Sequence, residues 1–295
     1  MNFLPRIKSL QEFHEIDKDQ GVERIYSYYK PGSSNLHTEK QEVNIIESPI
    51  WGTMLFLDGT LQSTTRDEII YHNALVHPLM YCLNSIKNIL ILGGGEGATA
   101  REVLRWPVHE LTMVDYDKAL VEHMKIHGSK WSQGAFNDPR LEIIYRDAWV
   151  HLQSAGHYDG VIIDLVDPGS NIHKWSKLLS MALASVKRSR GSIVMNAGLY
   201  LPWNLGELKE VNKMVYELCN ANPDYTYRMY TSFIPSFNGE WTFIIVHPIE
   251  GQVMPIDNIS VIPAWIRRTM KPLSSEMLIN NVDTTPSTSK LYVLP

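Results

Sequence analysis

The order of hydrophobic and polar residues divides the chain into a β-rich beginning and a longer part in which strands and helices alternate. In the beginning, three runs have the alternation or the β-branched and aromatic content of strands. The pair Asp58-Gly59, between the second and third runs, is typical of a two-residue hairpin turn. A small antiparallel sheet is therefore predicted, with strands at residues 41–46, 51–57 and 60–64.

From Asp67 onward the spacing of apolar residues becomes helical, beginning with acidic residues that suit a helix N-terminus. Short apolar strands then alternate with amphipathic helices, which indicates a parallel sheet covered on both faces. The predicted strands are residues 87–92, 110–114, 141–145, 159–165 and 192–196, and the predicted helices are residues 67–76, 98–105, 118–127, 180–187 and 208–218. A final pair of strands, at 225–231 and 242–246, is predicted to close the sheet as an antiparallel hairpin.

These elements predict an α/β protein with a small N-terminal antiparallel β-domain, residues 1–66, followed by a doubly wound domain, residues 67–295. No internal repeat or long low-complexity linker separates the two parts, so the small sheet is expected to pack on the larger domain. A C-terminal tail from about residue 271 is polar at 283–289 and ends in an apolar segment, 291–294, that is expected to dock.

Composition and charge narrow the possible functions. The chain has 295 residues, 44% hydrophobic and 20% charged, as soluble globular proteins do. A formal net charge of −5 argues against nucleic acid as a partner and does not repel a cationic ligand. No signal peptide and no apolar run near the ~20 residues of a membrane helix is found, so a soluble cytoplasmic protein is expected. Cys82 and Cys219 lack metal-ligand spacing and are expected to be core residues, and no metal site is predicted.

The segment Gly93-Gly94-Gly95-Glu96-Gly97 joins the first strand of the large sheet to a helix. Such a turn places backbone N–H groups and the positive end of a helix at the carboxyl edge of the sheet, where these folds bind ligands. Alone it is weak evidence, because close strand-to-helix packing also requires glycine. Support comes from Asp115 at the end of the next strand, where an acidic residue binds ribose hydroxyls in nucleotide sites. The alternative for Asp115 is a cap of the following helix.

Four successive strands are each followed by a carboxylate, and together these residues form what we call the acidic row: Glu96, Asp115, Asp147 and Asp164. Asp is common in turns, so one such residue would be unremarkable, but four at one sheet edge predict an acidic cleft. An adenosine-type ligand combined with surplus negative charge indicates a cationic second substrate.

Asp164 and Asp167 are separated by only two residues, so both carboxylates are expected to reach one amine. One carboxylate can bind the ammonium form while the other accepts a proton, which converts the nitrogen to a nucleophile. Tyr71 and His72, on the first helix of the large domain, are further candidates, although single Tyr and His residues are more often structural.

Six stretches in this order resemble the polyamine aminopropyltransferases, the family of spermidine, spermine and thermospermine synthases. Together they extend over about residues 41–170, which is more specific than any single motif. The matching stretches are Phe56–Ser63, Arg66–His72, Leu92–Gly97, Val114–Asp117, Arg146–Ala148 and Asp164–Pro168.

The resemblance implies a β-rich N-terminal domain, a Rossmann-like domain of the class I methyltransferase type, and a homodimer or homotetramer. It also implies an enzyme of polyamine biosynthesis that transfers the aminopropyl group of decarboxylated S-adenosylmethionine to putrescine or spermidine and releases 5′-methylthioadenosine. The nucleoside is a co-substrate, and no permanently bound cofactor or metal is implied.

Roles for individual residues follow from the same resemblance. Asp164 would be the proton acceptor, with Tyr71 and Asp167 beside it at the reacting amine. His72, Glu96, Asp164, Asp167 and Phe237 would line the amine pocket. The nucleoside would be bound by Gln41, Gly93, Gly95, Glu96, Gly97, Asp115, Asp147 and Ala148, with Asp115 on the ribose and Asp147 and Ala148 on the adenine.

Several features lean toward the thermospermine synthase branch: glutamate in the glycine-rich turn, the stretch 164–168, and the stretch 234–237 followed by Trp241, with Phe237 where spermidine synthases usually have tyrosine. Two features depart from the family. The segment 169–175 lacks the family's longer covering loop, and Asn196 replaces a common glutamine.

Two alternatives stay open. One is an S-adenosylmethionine-dependent methyltransferase, against which Glu96 argues because it would repel the carboxylate of the intact nucleoside. The other is a polyamine- or nucleoside-binding protein that has lost turnover, an alternative that the altered loop leaves open.

Overall fold

The structure, a computed structural model, describes residues 10–17, 21–154, 156–169, 171–249 and 292–293. Contacts between Cα atoms divide the chain into two compact units. The N-terminal unit comprises the described residues up to Ile69 together with Pro235–Phe237, and the second unit comprises the rest. The division of the sequence at residue 66 stays a prediction.

The N-terminal unit contains one antiparallel sheet whose five strands follow one another in chain order. The predicted strands are confirmed as the last three, and Asp58 and Gly59 form the hairpin turn with φ of 48° and 78°. The first two strands were not predicted individually, although the second carries β-type residues such as Val22, Ile25 and Tyr26. The five are β1 (Gln11–Asp17), β2 (Val22–His37), β3 (Glu42–Ser48), β4 (Gly52–Leu57) and β5 (Thr60–Thr64).

The segment Pro235–Phe237 joins this unit through hydrogen bonds that sequence reasoning did not anticipate. The buried Asp67 carboxylate accepts from the Ser236 backbone N–H at 2.7 Å and from the Ser236 hydroxyl at 3.0 Å. The same carboxylate accepts from the Thr64 hydroxyl at 2.7 Å. The Arg24 guanidinium donates to the Phe237 carbonyl at 3.2 Å.

The second unit alternates strands and helices as predicted. Its helices are α1 (Glu68–Cys82), α2 (Ala98–Leu104), α3 (Lys118–His127), α4 (Ser129–Ser132), α5 (Ala148–Gln153), α6 (Ile172–Val186) and α7 (Gly206–Asn220). Its strands are β6 (Asn88–Gly93), β7 (Glu110–Asp115), β8 (Leu141–Tyr145), β9 (Gly160–Asp164), β10 (Ser192–Tyr200), β11 (Tyr225–Ile234), β12 (Gly239–Pro248) and β13 (Tyr292–Val293).

These strands form one sheet in the order β13-β11-β12-β10-β9-β6-β7-β8. The five strands from β10 to β8 are parallel, and β12 pairs antiparallel with both β10 and β11, which confirms the predicted closing hairpin. Tyr292 pairs with Tyr230, so part of the apolar end of the chain adds a short strand. Residues 250–291, including the predicted polar tail, lie outside the described residues.

Both faces of the large sheet are covered, as the all-apolar strands predicted. On β6, Leu90 and Leu92 pack toward α5, α6 and α7, whereas Ile89 and Ile91 pack toward α1, α2 and α3. Cys82 and Cys219 are buried free thiols in these two cores. Helix α6 begins at Ile172, so residues 172–175 of the segment 169–175, which the sequence assigned to a loop, are helical. Among the described residues, no helix is long and apolar enough to cross a membrane.

Candidate active site

The acidic row lies at the carboxyl ends of four neighbouring strands, in the sheet order β9, β6, β7 and β8. Asp164 ends β9, Asp115 ends β7, Glu96 follows β6, and Asp147 follows β8. Because these strands are parallel, their ends meet at one edge of the sheet. The structure therefore places the predicted row where doubly wound sheets bind ligands.

The glycine-rich turn brings backbone and carboxylates closer than a side chain would allow. Gly93 has φ of 88°, and a Cβ there would lie 2.0 Å from the Asp164 carbonyl oxygen. A Cβ at Gly95 would lie 2.8 Å from Oδ2 of Asp115. Gly97 has φ of 86° and packs against the Phe136 ring. Glycine is thus required at positions 93 and 97 because the backbone there is left-handed. At positions 93 and 95 it is required because a neighbouring oxygen approaches too closely for a side chain.

Asp164 is the centre of the site. The hydroxyl of Thr99 donates to its Oδ2 at 2.5 Å, and the hydroxyl of Tyr71 donates to its Oδ1 at 3.1 Å. Burial, followed by the negative charge of Glu96, raises the pKa of Asp164 to about 6, and His72 and the two hydroxyl hydrogen bonds oppose that shift. A carboxylate that exchanges its proton near neutral pH is suited to act as a general base.

His72 and Glu96 form a second pair beside Asp164. Their Nε2 and Oε1 atoms are 2.9 Å apart, and His72 is only 2% exposed. Ligand-type atoms of His72, Glu96 and Asp164 all lie within 4.8 Å of one another, and within the described ranges this is the one such group of three. Two carboxylates and one imidazole carry surplus negative charge, so the cluster fits a bound ammonium or another cation.

Tyr71 supports this cluster from α1. Its ring makes edge contacts with Phe243, at 5.3 Å between centroids, and with His72, at 5.1 Å. Burial and the neighbouring negative charges of Asp164 and Asp167 raise the pKa of Tyr71 well above its ordinary value. The phenol therefore keeps its proton and serves as a hydrogen-bond donor to Asp164.

Asp115 lies across Gly95 from this cluster and is 8% exposed. Burial raises the pKa of Asp115 to about 6, and the negative charges of Asp117, Glu96 and Asp164 add to this shift. A hydrogen bond from the Asp117 N–H to Oδ1 of Asp115, at 2.8 Å, opposes it. Helix α3 is capped by Asp117, which accepts from the Leu120 N–H at 3.1 Å. The alternative of Asp115 as that cap is therefore wrong, and its carboxylate lies beside the glycine-rich turn.

The remaining predicted residues are Asp147, Ala148, Asp167, Gln41 and Phe237. Asp147 is exposed and caps α5 by accepting from the Val150 N–H at 3.1 Å, and Ala148 after it is buried. Asp167 is exposed and lies against Gly198. Gln41, just before β3, and the buried Phe237 belong to the N-terminal unit.

Sequence reasoning missed Thr99, which makes the shortest hydrogen bond to Asp164. The available signal was a hydroxyl residue in the first turn of the helix that follows the glycine-rich turn. No spacing rule connects that position with a carboxylate 65 residues later.

Comparison with solved structures identifies spermidine synthases as similar folds. The spermidine synthase of Thermotoga maritima superposes with a TM-score of 0.74 at 21% identity, covering 88% of both chains. A spermidine synthase in complex with the transition state analogue AdoDATO gives the same score and identity. At this identity the likeness concerns the fold.

Curated relatives are more similar in sequence. The polyamine aminopropyltransferase of Korarchaeum cryptofilum is 33% identical over 216 residues, which span 72% of this chain and 64% of that protein. That of Sulfurisphaera tokodaii is 34% identical over 230 residues, or 75% of this chain and 74% of the relative. The aligned part of this chain thus spans about two thirds to three quarters of these relatives.

Two family models match adjacent parts of the chain. The spermidine synthase tetramerisation domain matches residues 35–65, and the spermine/spermidine synthase domain matches residues 68–253, which include the whole acidic row. The chain belongs to the spermine/spermidine synthase family.

Proposed function

We propose that the protein is a polyamine aminopropyltransferase, which transfers the aminopropyl group of decarboxylated S-adenosylmethionine to a polyamine amine. The observation that carries this proposal is the half-buried Asp164 carboxylate, held by Tyr71 and Thr99 beside the His72–Glu96 pair. This arrangement offers a base and a binding place for a cation at the glycine-rich turn. The relatives named polyamine aminopropyltransferase support the same activity.

The reaction is a displacement at carbon. The lone pair of the acceptor amine attacks the propyl carbon attached to the sulfonium, the carbon–sulfur bond breaks, and its electron pair neutralises the sulfur as 5′-methylthioadenosine. Asp164 accepts the proton that the amine must lose. Tyr71 and Thr99 hold the Asp164 carboxylate in place, and the carboxylate in turn orients the acceptor amine toward the propyl carbon that it attacks.

The nucleoside occupies the glycine-rich turn in this proposal. The Asp115 carboxylate, beside Gly95, accepts hydrogen bonds from ribose hydroxyls. Glu96 binds the ammonium end of the aminopropyl group, and Asp147 with Ala148 borders the adenine. The roles of Gln41 at the nucleoside and of Phe237 at the amine rest on the resemblance in sequence alone.

The finer assignments belong to the same proposal. The match to a tetramerisation domain at residues 35–65 supports a homo-oligomer, either a dimer or a tetramer. The glutamate at 96 and the phenylalanine at 237 favour thermospermine as the product, with spermidine as the acceptor. A cytoplasmic location follows from the expected metabolic role.

The competing activities are methyl transfer from intact S-adenosylmethionine and binding without turnover. Glu96 places a carboxylate in the glycine-rich turn, where the carboxylate of the intact nucleoside would be repelled. Both carboxylates expected at the amine, Asp164 and Asp167, are present, which favours turnover.

An acceptor screen tests the proposed function. The protein is incubated with decarboxylated or intact S-adenosylmethionine and with putrescine, spermidine or spermine, and 5′-methylthioadenosine and the polyamine products are quantified. Aminopropyl transfer from the decarboxylated nucleoside alone is expected. Turnover with only the intact nucleoside would establish a methyltransferase, and binding without any product would establish the non-catalytic alternative.

The raised pKa of Asp164 gives the activity an acidic limit. Because the base must be ionised, kcat/KM for the nucleoside at saturating amine is expected to fall as pH drops through about 6. Asp115 titrates in the same range, so the slope of log kcat/KM is expected to lie between one and two. Rates measured from pH 5 to 8 check this, and a flat profile across that range would contradict the role of Asp164.

A further inference from the structure

Strand β10, next to β9, has an irregularity close to the two carboxylates. It pairs with β9 only as far as Met195 opposite Ile163, one residue before Asp164. Its pairing with β12 shifts register between Asn196 and Gly198. Such bulges re-aim side chains and often lie next to active sites.

The two residues that bracket this bulge contact the segment that carries both carboxylates. The Asn196 Nδ2 donates to the Leu165 carbonyl at 2.6 Å. Gly198 has φ of 84°, and a Cβ there would lie 3.4 Å from Oδ2 of Asp167. On the other side, the Gly94 N–H donates to the Asp164 carbonyl at 3.2 Å. The segment 164–167 therefore accepts hydrogen bonds from Asn196 and Gly94 and lies beside Gly198.

Packing alone does not explain an amide at position 196. Asn196 is 2% exposed, and its Oδ1 has no hydrogen-bond partner among the described residues. A buried acceptor without a partner destabilises the fold, and an apolar side chain of similar size would avoid that cost. The Nδ2 bond to Leu165 also fixes the orientation of the amide, because the reverse orientation would bring two oxygens together.

We propose that Asn196 and Gly198 are positioning residues, which hold the segment 164–167 so that the Asp164 and Asp167 carboxylates address the same amine. The proposal rests on the proposed function for the identity of that amine. Asn196 fixes the backbone between the two carboxylates, and Gly198 supplies the left-handed backbone, with φ of 84°, at the point where the bulged strand lies beside the Asp167 carboxylate. Asparagine is one methylene shorter than glutamine, so its Nδ2 holds the Leu165 carbonyl closer to strand β10 than a glutamine would.

The test compares Asn196→Leu and Asn196→Gln with a matched control, Thr242→Val. Thr242, in β12, pairs with Gly198 and is fully buried, and its hydroxyl has no hydrogen-bond partner among the described residues. Its removal is therefore expected to leave the segment 164–167 unchanged. Asn196→Leu is expected to lower kcat/KM for the acceptor amine by about 10- to 100-fold, because one orienting hydrogen bond is lost. The Kd of 5′-methylthioadenosine is expected to change less than about twofold.

Asn196→Gln keeps an amide donor and is expected to retain more activity than Asn196→Leu. The Kd of 5′-methylthioadenosine, which a merely structural loss would also change, is expected to stay within about twofold of the wild-type value in both variants. Gly198→Ala is the second, independent variant, in which a side chain is placed on a left-handed backbone beside the Asp167 carboxylate, so the bulge must shift to relieve the strain. It is expected to lower kcat/KM for the amine while nucleoside binding persists.

Two outcomes would overturn the positioning role: wild-type kcat/KM for the amine in both Asn196→Leu and Gly198→Ala, or an equal loss in Thr242→Val. If the wild-type protein transfers no aminopropyl group, the proposed function fails separately. The Kd of spermidine, measured by calorimetry with 5′-methylthioadenosine bound, then replaces kcat/KM, and the same order of variants is expected.

Discussion

Replacement of Asp164 by asparagine is expected to lower kcat for aminopropyl transfer by about 10²- to 10⁴-fold, the usual effect of removing a general base. The amide has nearly the same shape as the carboxylate, and the Tyr71 and Thr99 hydroxyls that contact position 164 can rotate to meet it. The site therefore keeps its geometry and loses its proton acceptor. The Kd of 5′-methylthioadenosine, measured by calorimetry, is expected to stay within about threefold of the wild-type value.

The same substitution separates catalysis from stability. The pKa of Asp164 is raised in the folded protein from 3.8 to about 6, so its protonated form favours folding. This contribution is complete below the unfolded pKa and is lost as pH rises through about 6. At pH 7.5 the charged carboxylate therefore destabilises the fold, and Asp164→Asn is expected to unfold at the same temperature as wild type or higher.

Asp224→Asn is the control for this variant. Asp224 is exposed at the start of β11, at the edge of the sheet opposite the acidic row. It is expected to leave kcat unchanged. Near-wild-type turnover in Asp164→Asn would contradict the assignment of the base, whereas a lost activity together with a lower unfolding temperature would indicate a structural role.

The hydrophobic pattern was sufficient to predict which carboxylates share one edge. In a parallel sheet, every strand that follows a helix ends on the same side, so a residue's place at a strand end determines its place in the sheet. Asp115 and Asp164 were placed in this way without any knowledge of strand order. The order itself, with β9 beside β6, then decides that Asp164 and Glu96 are close.

The pattern was not sufficient for contacts that depend on side-chain direction. Thr99 and Tyr71 meet on one carboxylate from two different helices, and no sequence period relates them. The bulge at Asn196 could not be predicted from the alternation of apolar and polar residues along one strand. A bulge is a shift in the pairing between two strands, here β10 and β12. Residues 235–237 group with the N-terminal unit through Asp67, a partner 169 residues away from Ser236.

The structure gives Glu96 contacts that the sequence did not predict. In the sequence it is a carboxylate in a turn that normally suits anions, because the turn offers backbone N–H groups. In the structure its partner is the buried His72, and it raises the pKa of Asp164 through its negative charge. In the proposed function, Glu96 would therefore act on both substrates, because its charge would attract the cationic end of the nucleoside and raises the pKa of the neighbouring base.

Replacement of Glu96 by glutamine is expected to reduce the preference for decarboxylated over intact S-adenosylmethionine by about 10- to 100-fold. Glutamine removes the charge that attracts the aminopropyl ammonium and repels the carboxylate of the intact nucleoside. It keeps an oxygen that can accept a hydrogen bond from His72. The Kd values of the two nucleosides, measured by calorimetry in the same buffer, give the preference directly.

The matched control for that substitution is Glu110→Gln, which removes the same charge from an exposed position at the start of β7, on the opposite edge of the sheet. Long-range attraction from the net charge changes equally in both variants, so only a local effect separates them. In Glu96→Gln the acidic limit of kcat/KM is also expected to move to lower pH, because one of the charges that raise the pKa of Asp164 is gone. An unchanged ratio of the two Kd values would show that some other group excludes the intact nucleoside, and an unmoved acidic limit would show that Glu96 and Asp164 do not interact.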